Sequence, residues 1–461
     1  MDARLGEARR AAARAAPAAL DDLEAWLRIP SVSRTREVGR AADWVTAYLR
    51  RCGSQVRRLP GPVVVARTRG RGGATCVVYG HLDVKPPGPG WTTQPFRPVR
   101  LGHRLQARGA SDDKGQLMAH LVALRAWSRY GGPPGDVVTI VDGAEEVGSP
   151  GLGAALSGLR EPVAGVVVVD TRAAGPRRPT VTLSQRGAVP VRLVVDVGGQ
   201  PVHAGRLGGA VVDPALVLAD LLGRASRELD RLPRPPSPWP AHPTAAAIRS
   251  AAGRRAVHAD DLPGRATRRG TLTVNRVHAA AAAGAVPTRA AASVDVRLPP
   301  GSRPAAVLAR LERTLRRALP PGVRLTLRTG TGDGGSLLDP PSAARAAVDA
   351  ACRAGYGRRT TTAASGGSIR AVDVLRRVYG TAPVLLGLGP ADDGAHGPDE
   401  YLDLREWPAQ VDTHVVLLER MAAVRTTQMD HGRCPPDGAT FAKPDVRMGP
   451  RTPAPDAREP R

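Results

Sequence analysis

The chain has 461 residues, of which 42% are hydrophobic, and a formal net charge of +24. This length exceeds what one hydrophobic core normally fills, so we expect two domains with extensions. Basic residues are spread along the whole chain, and aromatic residues make up only 3%. This composition argues against a nucleic-acid partner, because few rings are present to stack on bases.

No stretch approaches the length of about 18 uncharged apolar residues that a transmembrane helix requires. The N-terminal segment contains arginines but not the apolar core of a signal peptide, and Leu20, Leu23 and Trp26 have the spacing of an amphipathic helix. We therefore expect a cytoplasmic protein without membrane contact. The four cysteines lack CxxC or zinc-finger spacing and are predicted to be free thiols, as in a reducing compartment: Cys52, Cys76, Cys352 and Cys434.

The first 186 residues predict an α/β fold. Residues 1–60 are typical of helices joined by a turn at 28–33, and a leucine- and alanine-rich helix is predicted at 114–129. Short apolar runs predict strands at residues 63–66, 75–84, 136–146 and 165–170. Short buried strands that alternate with helices favour a mostly parallel sheet covered by helices on both faces.

From residue 187 the pattern changes to that of a separate α+β domain. Within this domain the sequence predicts strands at 190–197, 271–277 and 290–298, helices at 212–229 and 303–318, and a proline-rich loop at 231–243. The α/β character returns after residue 330, with a helix predicted at 342–354 and a strand at 382–389. We therefore predict a discontinuous main domain (1–186 and 331–424), an inserted lid domain (187–330) and a disordered tail (425–461) that lacks periodicity.

Acidic residues and histidines follow several of the predicted strands. His81 and Asp83 come after the second strand, Glu145 and Glu146 end the third, and Asp170 ends the fourth. Taken singly, each has an ordinary alternative, such as a solvent-exposed acidic pair. The carboxyl ends of strands in open α/β sheets usually carry the functional site, so these side chains are expected to lie together. Carboxylates grouped with imidazoles favour a metal site.

Two further segments belong to the same pattern. Asp112 and Asp113 immediately precede the helix predicted at 114–129, although such a pair alone is an ordinary N-cap. His396 lies late in the chain, within the acidic segment 392–400. Together with the strand-end residues, they form a set that is uncommon in a protein without a metal.

The segments that carry these residues resemble, in order and spacing, those of the M20 metallopeptidases. They are HLD at 81–83, RGASDDKG at 108–115, EEVGS at 145–149, VVVD at 167–170, HAGRLGGAVVDP at 203–214, GGSI at 366–369 and DDGAHGPDE at 392–400. The resemblance covers roughly residues 15–425. The long insert and the wording of the last segment are similar to the dipeptidase branch, which includes cytosolic non-specific dipeptidases and carnosinase-like enzymes.

The resemblance implies that the main domain is a catalytic domain with two divalent metal ions. His81 and Asp170 would bind one ion, Glu146 and His396 would bind the other, and Asp112 would bridge the two. Hard carboxylates combined with imidazole suit zinc, and manganese or cobalt are the alternatives. The resemblance also implies a cis peptide bond between Asp112 and the residue that follows it.

Three further residues would serve the catalytic step. Glu145 would take a proton from the attacking water and deliver it to the leaving amine. Asp83 would orient the ring of His81 through its second nitrogen. In the dipeptidase branch the histidine at the position of His203 reaches into the active site of the partner subunit. The resemblance therefore implies a homodimer formed through the lid domains, with a donor aimed at the developing oxyanion.

The substrate implied is a small peptide with a free carboxylate. Arg297 matches the arginine that grips this carboxylate, a task for which the guanidinium fork is suited. Gly366, Gly367 and Ser368 match the turn that faces the carboxyl side of the substrate. A dipeptide is the leading prediction. The alternatives are an N-acyl amino acid, a biosynthetic intermediate with an amide bond, and a metal-free binding protein without activity.

Several positions depart from the family pattern. Ala364-Ser365 stands where relatives commonly have Arg-Glu, Arg370 follows GGSI in place of proline, and Gly284 takes the place of a threonine. These departures leave the hydrolytic centre intact and leave the dipeptide specificity open. The remaining histidines match none of the segments and are interpreted as structural or surface residues: His103, His120, His242, His258, His278, His414 and His431.

Overall fold

The computed structural model describes residues 3–235, 239–257 and 261–425. Its helices are α1 (Ala3–Leu27), α2 (Glu37–Arg51), α3 (Lys114–Ser128), α4 (Leu152–Ala155), α5 (Ala204–Leu207), α6 (Pro214–Asp230), α7 (Ala245–Ala252), α8 (Leu262–Thr267), α9 (Pro304–Arg317), α10 (Ser342–Tyr356), α11 (Ala371–Tyr379) and α12 (Trp407–Ala422). Single 3-10 turns cover Glu145–Val147 and Gly253–Arg255. Apart from its first residue, the tail predicted at 425–461 lies outside the described residues.

The strands belong to one large sheet and two small ones. They are β1 (Gln55–Leu59), β2 (Val63–Thr68), β3 (Gly73–His81), β4 (Val99–Leu101), β5 (Arg104–Gln106), β6 (Gly135–Asp142), β7 (Gly165–Arg172), β8 (Thr180–Asp196), β9 (Val202–His203), β10 (Ala241–His242), β11 (Thr271–Ala279), β12 (Ala285–Val286), β13 (Arg289–Leu298), β14 (Arg324–Thr329), β15 (Asp333–Leu337), β16 (Thr361–Ser365), β17 (Val384–Gly389) and β18 (Tyr401–Asp403). The main path of the large sheet is β1-β2-β6-β3-β7-β17-β8-β13-β11.

The centre of the large sheet is parallel, as the sequence predicts. Strands β6, β3, β7 and β17 run in the same direction, while β2 and β8 flank them in the antiparallel sense. The central strands are continuous apolar runs because both faces are covered by helices. Val78 packs in the core formed with α1, α3 and α12, whereas its neighbour Val77 packs on the other face against α11. The predicted α/β fold class is confirmed.

The inserted segment has a hydrophobic core of its own. Along β13 every second residue is buried, the pattern of a strand with one covered face. The covering residues come from two amphipathic helices, with Leu221 and Leu229 on α6 and Leu311 and Leu315 on α9. Strand β8 pairs with β17 through its first part and with β13 through its second. Because β8 passes through residue 187 without a break, the domain boundary placed there stays a prediction.

The prediction of helix up to residue 60 was wrong at its end. Residues 55–59 form β1, which pairs antiparallel with β2 along its whole length. The short strands β15 and β16 were not predicted. Their sequences, DGGSL and TTAAS, lack an apolar run, and both pair with the long strand β8. Their conformation is therefore set by the neighbouring strand more than by their own side chains.

Two composition-based predictions can be compared with the structure. In the described part of the chain, no helix has the length and apolar character needed to cross a membrane. Cys52, Cys76 and Cys352 are buried free thiols, as predicted. Cys434 lies outside the described residues.

Candidate metal centre and substrate cavity

The sheet brings the predicted metal-binding residues to one edge. His81 is the last residue of β3, Asp170 lies near the end of β7, and the 3-10 turn that carries Glu145 and Glu146 follows β6. Because β6, β3 and β7 are parallel neighbours, their carboxyl ends meet at the same edge of the sheet. Asp112 reaches this edge from the segment before α3.

Two groups of potential ligands form there and share one residue. The Nε2 atom of His81 lies 3.0 Å from Oδ1 of Asp112 and 3.6 Å from Oδ1 of Asp170. The Nε2 atom of His396 lies 3.1 Å from Oδ2 of Asp112 and 3.1 Å from Oε2 of Glu146. In each group of three the ligand atoms lie within 4.8 Å of one another. The two oxygens of Asp112 thus face different histidines.

The electrostatics of the groups fit positively charged ions. Burial lowers the pKa of His396, but the contacts with Asp112 and Glu146 outweigh it and raise this pKa to about 10. Burial likewise opposes the charge of His81, yet the carboxylates of Asp170 and Asp112 raise its pKa well above the ordinary value. An acidic cluster that favours cationic imidazoles this strongly, with carboxylate and imidazole donors, fits hard or borderline divalent cations.

The backbone also holds His396 in an unusual conformation. Its φ angle is 64°, in the left-handed region that is costly for a residue with a side chain. Strain of this kind persists only where surrounding contacts enforce it and is common at functional sites. His396 is one of the more exposed members of the groups, with 52% of its side chain accessible. The peptide bond between Asp112 and Asp113 is cis, as the resemblance implied.

Asp83 connects the first histidine to the acidic turn. The Nδ1 atom of His81 lies 2.9 Å from the carbonyl oxygen of Asp83 and 3.5 Å from its Oδ1. The carboxylate of Asp83 accepts hydrogen bonds from the backbone N–H groups of Glu145 at 3.0 Å and Glu146 at 3.2 Å. The hydroxyl of Ser33 also donates to it at 2.7 Å. Asp83 therefore contacts both the ring of His81 and the turn that carries the two glutamates.

Glu400 organises the loop before α3, a role that was not predicted from the sequence. Its Oε1 accepts from the backbone N–H groups of Gly109 at 3.1 Å, Ser111 at 3.0 Å and Asp112 at 2.9 Å. Its Oε2 accepts from Arg108 at 2.6 Å. Burial, followed by the charge of Asp112, raises the pKa of Glu400 to about 7. Glu400 is the last residue of the segment 392–400, which also carries His396. Its closeness to His396 in the sequence is the signal that could have identified it.

Glu145 lies in the 3-10 turn that follows β6. Burial, followed by the negative charge of Asp170, raises the pKa of Glu145 well above that of a free glutamate. Glu145 lines the same cavity as the two ligand groups. Lys85 contacts the neighbouring glutamate, with its Nζ 3.0 Å from Oε2 of Glu146. A raised pKa makes a carboxylate a better proton acceptor, which suits a residue that exchanges protons with a substrate or water.

A cavity of about 1220 Å³ lies over the candidate metal centre. Its walls include Arg297 from the inserted segment and the turn Gly366–Ser368. The Nε of Arg297 donates to Asp295 at 2.9 Å, which leaves its Nη groups for other partners. His203 is exposed and is not among the described residues that line the cavity of its own chain.

One histidine interpreted as structural or surface lines this cavity, which corrects that interpretation. His242 lies on β10, which pairs with β16 at Ala364 and Ser365. Burial, followed by the positive charge of Arg172, lowers the pKa of His242, and its Nδ1 has no hydrogen-bond partner in the described part of the chain. No motif marked this residue, because it is brought to the cavity by a proline-rich loop.

The departures from the family pattern fall at different places. Ala364 and Ser365 lie on β16, and Ser365 and Arg370 line the cavity. Gly284 adopts a φ angle of 77°, where a side chain is strained, and its carbonyl accepts from the N–H of Ala204 at 2.7 Å. Gly284 therefore belongs to the surroundings of His203, whereas Arg370 belongs to the cavity.

Comparison with known proteins agrees with this geometry. The sequence model of peptidase family M20/M25/M40 matches residues 77–420. The chain is 33% identical over 204 residues to a cysteinylglycine-S-conjugate dipeptidase of Corynebacterium striatum, covering 42% of this chain and 44% of that protein. It is 32% identical over 175 residues to the human Beta-Ala-His dipeptidase, covering 36% and 34%. The chain thus aligns with less than half the length of these curated relatives.

Solved structures share the fold over nearly their whole length. The di-peptidase Dug1p of Saccharomyces cerevisiae has a TM-score of 0.77 at 22% identity, covering 92% of this chain and 99% of that one. Human carnosine dipeptidase 1 has a TM-score of 0.75 at 20% identity, covering 91% and 99%. The family match spans well over half of the residues, and the chain belongs to peptidase family M20/M25/M40.

Proposed function

We propose that the protein is a two-metal hydrolase that cleaves a peptide bond next to a free carboxylate, with dipeptides as substrates. The observation that carries this proposal is the position of Asp112. One of its oxygens lies 3.0 Å from His81 and the other 3.1 Å from His396. A carboxylate that faces two groups of ligands is suited to bridge two divalent ions.

Two groups of residues would hold the ions. His81, Asp112 and Asp170 would hold one, and Asp112, Glu146 and His396 would hold the other. The nitrogen and oxygen donors favour zinc, and manganese is compatible with them. When bound, two such ions supply Lewis acidity toward the scissile carbonyl and lower the pKa of water.

The protein side chains carry out the proton transfers and the positioning. Glu145 takes the proton of the attacking water and passes it to the leaving amine, which its raised pKa supports. Asp83 holds the His81 ring and the turn of Glu145 in position through its contacts with both. Arg297 binds the substrate carboxylate with its Nη groups, beside Gly367 and Ser368.

We also propose a homodimer in which His203 of a second copy completes the cavity. His203 is exposed, and large apolar side chains of the same inserted segment are exposed as well, among them Leu207 at 43% and Leu216 at 71%. The edge strand β11 carries Val274 at 44% and Val277 at 57% exposure. Exposed apolar residues along an unpaired strand edge are typical of an interaction surface. We further propose a cytoplasmic location, which the buried free thiols support.

A substrate panel tests the proposed activity. Dipeptides and N-acyl amino acids would be incubated with the protein after loading with zinc, manganese or cobalt, and the released amino acid would be quantified. The proposal expects hydrolysis of dipeptides with a free carboxylate, and loss of rate when that carboxylate is amidated. Hydrolysis of N-acyl amino acids in preference to all dipeptides would replace the dipeptidase assignment with a deacylase.

A further inference from the structure

The cavity holds several cationic side chains, and most of them are paired with a carboxylate. The pairs are Lys85 with Glu146 at 3.0 Å, Arg172 with Asp393 at 2.8 Å and Arg297 with Asp295 at 2.9 Å. Arg370 also lines the cavity and, like Arg186, which donates to Arg265 and Thr271, differs from them. Among the residues that the structure describes, no carboxylate oxygen lies within the 4.0 Å ion-pair distance of its guanidinium.

The backbone holds the guanidinium of Arg370 in place. Its Nη1 donates to the carbonyl oxygen of Gly148 at 3.3 Å, and its exposed Nη2 donates to that of Thr331 at 2.5 Å. A Cβ atom at Gly148 would lie only 2.8 Å from Nη1, so the glycine permits this close approach. Gly148 follows the turn of Glu145 and Glu146. Arg370 is therefore held against the part of the cavity wall that carries Glu145, the proposed proton-transfer residue.

The charge of Arg370 is poorly compensated where it lies. Its Nε is buried and has no hydrogen-bond partner among the residues that the structure describes. The carboxylate of Asp333 is close enough for Arg370 to lower its pKa, but burial raises that pKa more. Asp333 also accepts the backbone N–H of Gly335 at 2.9 Å. Among the described residues, the hydrogen bonds of this partly buried guanidinium go to carbonyl oxygens, and an added carboxylate would stabilise it.

We propose that Arg370 is a specificity-determining residue that binds a negatively charged group on the acyl part of the substrate. The inference rests on the proposed function, in which Arg297 holds the carboxylate of the leaving amino acid. Arg297 belongs to β13 of the inserted segment, whereas Arg370 contacts the loop of Glu145. We place the acyl part of the substrate at Arg370 because its guanidinium contacts Gly148, beside the turn of Glu145.

The substrate class that follows is an amide with a carboxylate on each side of the scissile bond. Two kinds of compound offer this chemistry: dipeptides that begin with an acidic residue, and amino acids acylated with a dicarboxylic acid. The shared feature is a carboxylate within side-chain reach of the reacting carbonyl. Position 370 is also a departure from the family pattern, so this preference would distinguish the chain from relatives with proline there.

Matched substrates test the proposal, because an amide is nearly isosteric with a carboxylate. The kcat/KM values would be compared for Asp-Ala against Asn-Ala, and for N-succinyl-alanine against the corresponding half-amide. The metal-loaded wild type is expected to prefer the carboxylate member of at least one pair by about tenfold or more. Arg370→Gln should lower that preference by about tenfold, and Arg370→Lys should retain part of it.

The control variant is Arg377→Gln, which removes the same charge from the exposed face of α11. It should leave the preference unchanged, which excludes a general effect of net charge. A wild type that favours the amide members would contradict the proposal. So would Arg370→Gln kinetics in which both members of each pair fall by the same factor, since that is the effect of a residue that only anchors Gly148 and Thr331.

A binding measurement separates this inference from the proposed function. Calorimetric titration of the metal-loaded protein with succinate and with succinamate needs no turnover. Arg370→Gln should weaken succinate binding by about tenfold and weaken succinamate binding less. If no amide is hydrolysed but this difference is found, the proposed function fails and the anion site stands. Equal affinities of wild type and Arg370→Gln for succinate would overturn the anion site itself.

Discussion

The backbone N–H of Asp112 donates a hydrogen bond of 2.9 Å to Oε1 of Glu400. The same oxygen accepts from Gly109 and Ser111, and the other oxygen of Glu400 pairs with the buried Arg108. Residues far apart in the sequence thus fix the peptide that carries the proposed bridging ligand. The position of Asp112 between two histidines depends on this buried acceptor.

Replacing Glu400 with glutamine should therefore weaken both the fold and the metal site. The variant leaves the guanidinium of Arg108 buried without its charged partner, which typically costs about 3–5 kcal/mol. The substitution also changes the acceptor of the Asp112 backbone N–H. Metal affinity should therefore fall by about 10- to 100-fold, as it does for other residues that orient ligands. Denaturant unfolding of the chelated protein and competition with a metal-binding dye would measure the two effects.

The control for this variant is Glu312→Gln. Glu312 pairs with Arg316 on an exposed part of α9, so the same substitution there should change stability by less than about 1 kcal/mol. If Glu400→Gln behaves like this control in both measurements, Glu400 does not support the position of Asp112.

His203→Ala is expected to lower kcat by about 100-fold while two metal ions stay bound, because it removes a donor to the developing oxyanion. Mixing this variant with Glu145→Gln should restore activity after subunit exchange, since one cavity of each heterodimer then has both groups. Light scattering and mass spectrometry would verify the exchange. No recovery in verified heterodimers would show that His203 does not act across a subunit interface.

The buried pair of His120 and His414 predicts an acid-sensitive stability. The rings lie 5.6 Å apart with no exposure to solvent, and burial lowers the pKa of His414 to about 4. Burial, followed by His414, lowers the pKa of His120 well below its ordinary value. The unfolded chain therefore binds more protons below about pH 6.5. Stability should be full above that pH and fall toward pH 4, by up to about 3 kcal/mol for His414.

Urea unfolding of the chelated protein between pH 4 and 8 would test this slope. His414→Leu removes one buried titrating group and should flatten the curve below about pH 6.5, even if it changes stability at pH 8. Replacing the exposed His103 with leucine is the matched control and should leave the slope as in the wild type. An identical slope in His414→Leu would assign the acid sensitivity to other groups.

The parallel strands and the metal-binding residues could be predicted from the sequence for related reasons. Buried strands such as β3 are unbroken apolar runs, and His81 stands where that run ends. Parallel strands place such ends at one edge, so the grouping of His81 and Asp170 followed from the order of the elements. The assignment of individual roles came from the family resemblance and stays a prediction.

The cavity walls were harder to predict because contacts between distant segments define them. His242 reaches the cavity through a proline-rich loop and pairing with β16, and neither has a periodic pattern. Glu400 acts through hydrogen bonds to backbone groups, which leave no trace in side-chain spacing. Arg370 stood out as a departure, but its contacts with Gly148 and Thr331 could not be read from the sequence.

The central claim is that Glu145 transfers protons beside two bound metal ions. The most direct test is the turnover of Glu145→Gln, measured on the best dipeptide substrate with protein whose metal content has been determined. We expect two ions per chain, as in the wild type, and a loss in kcat of about 100-fold or more, because the substitution removes general acid–base catalysis and no ligand. Turnover within about tenfold of the wild type at full metal content would contradict the central claim.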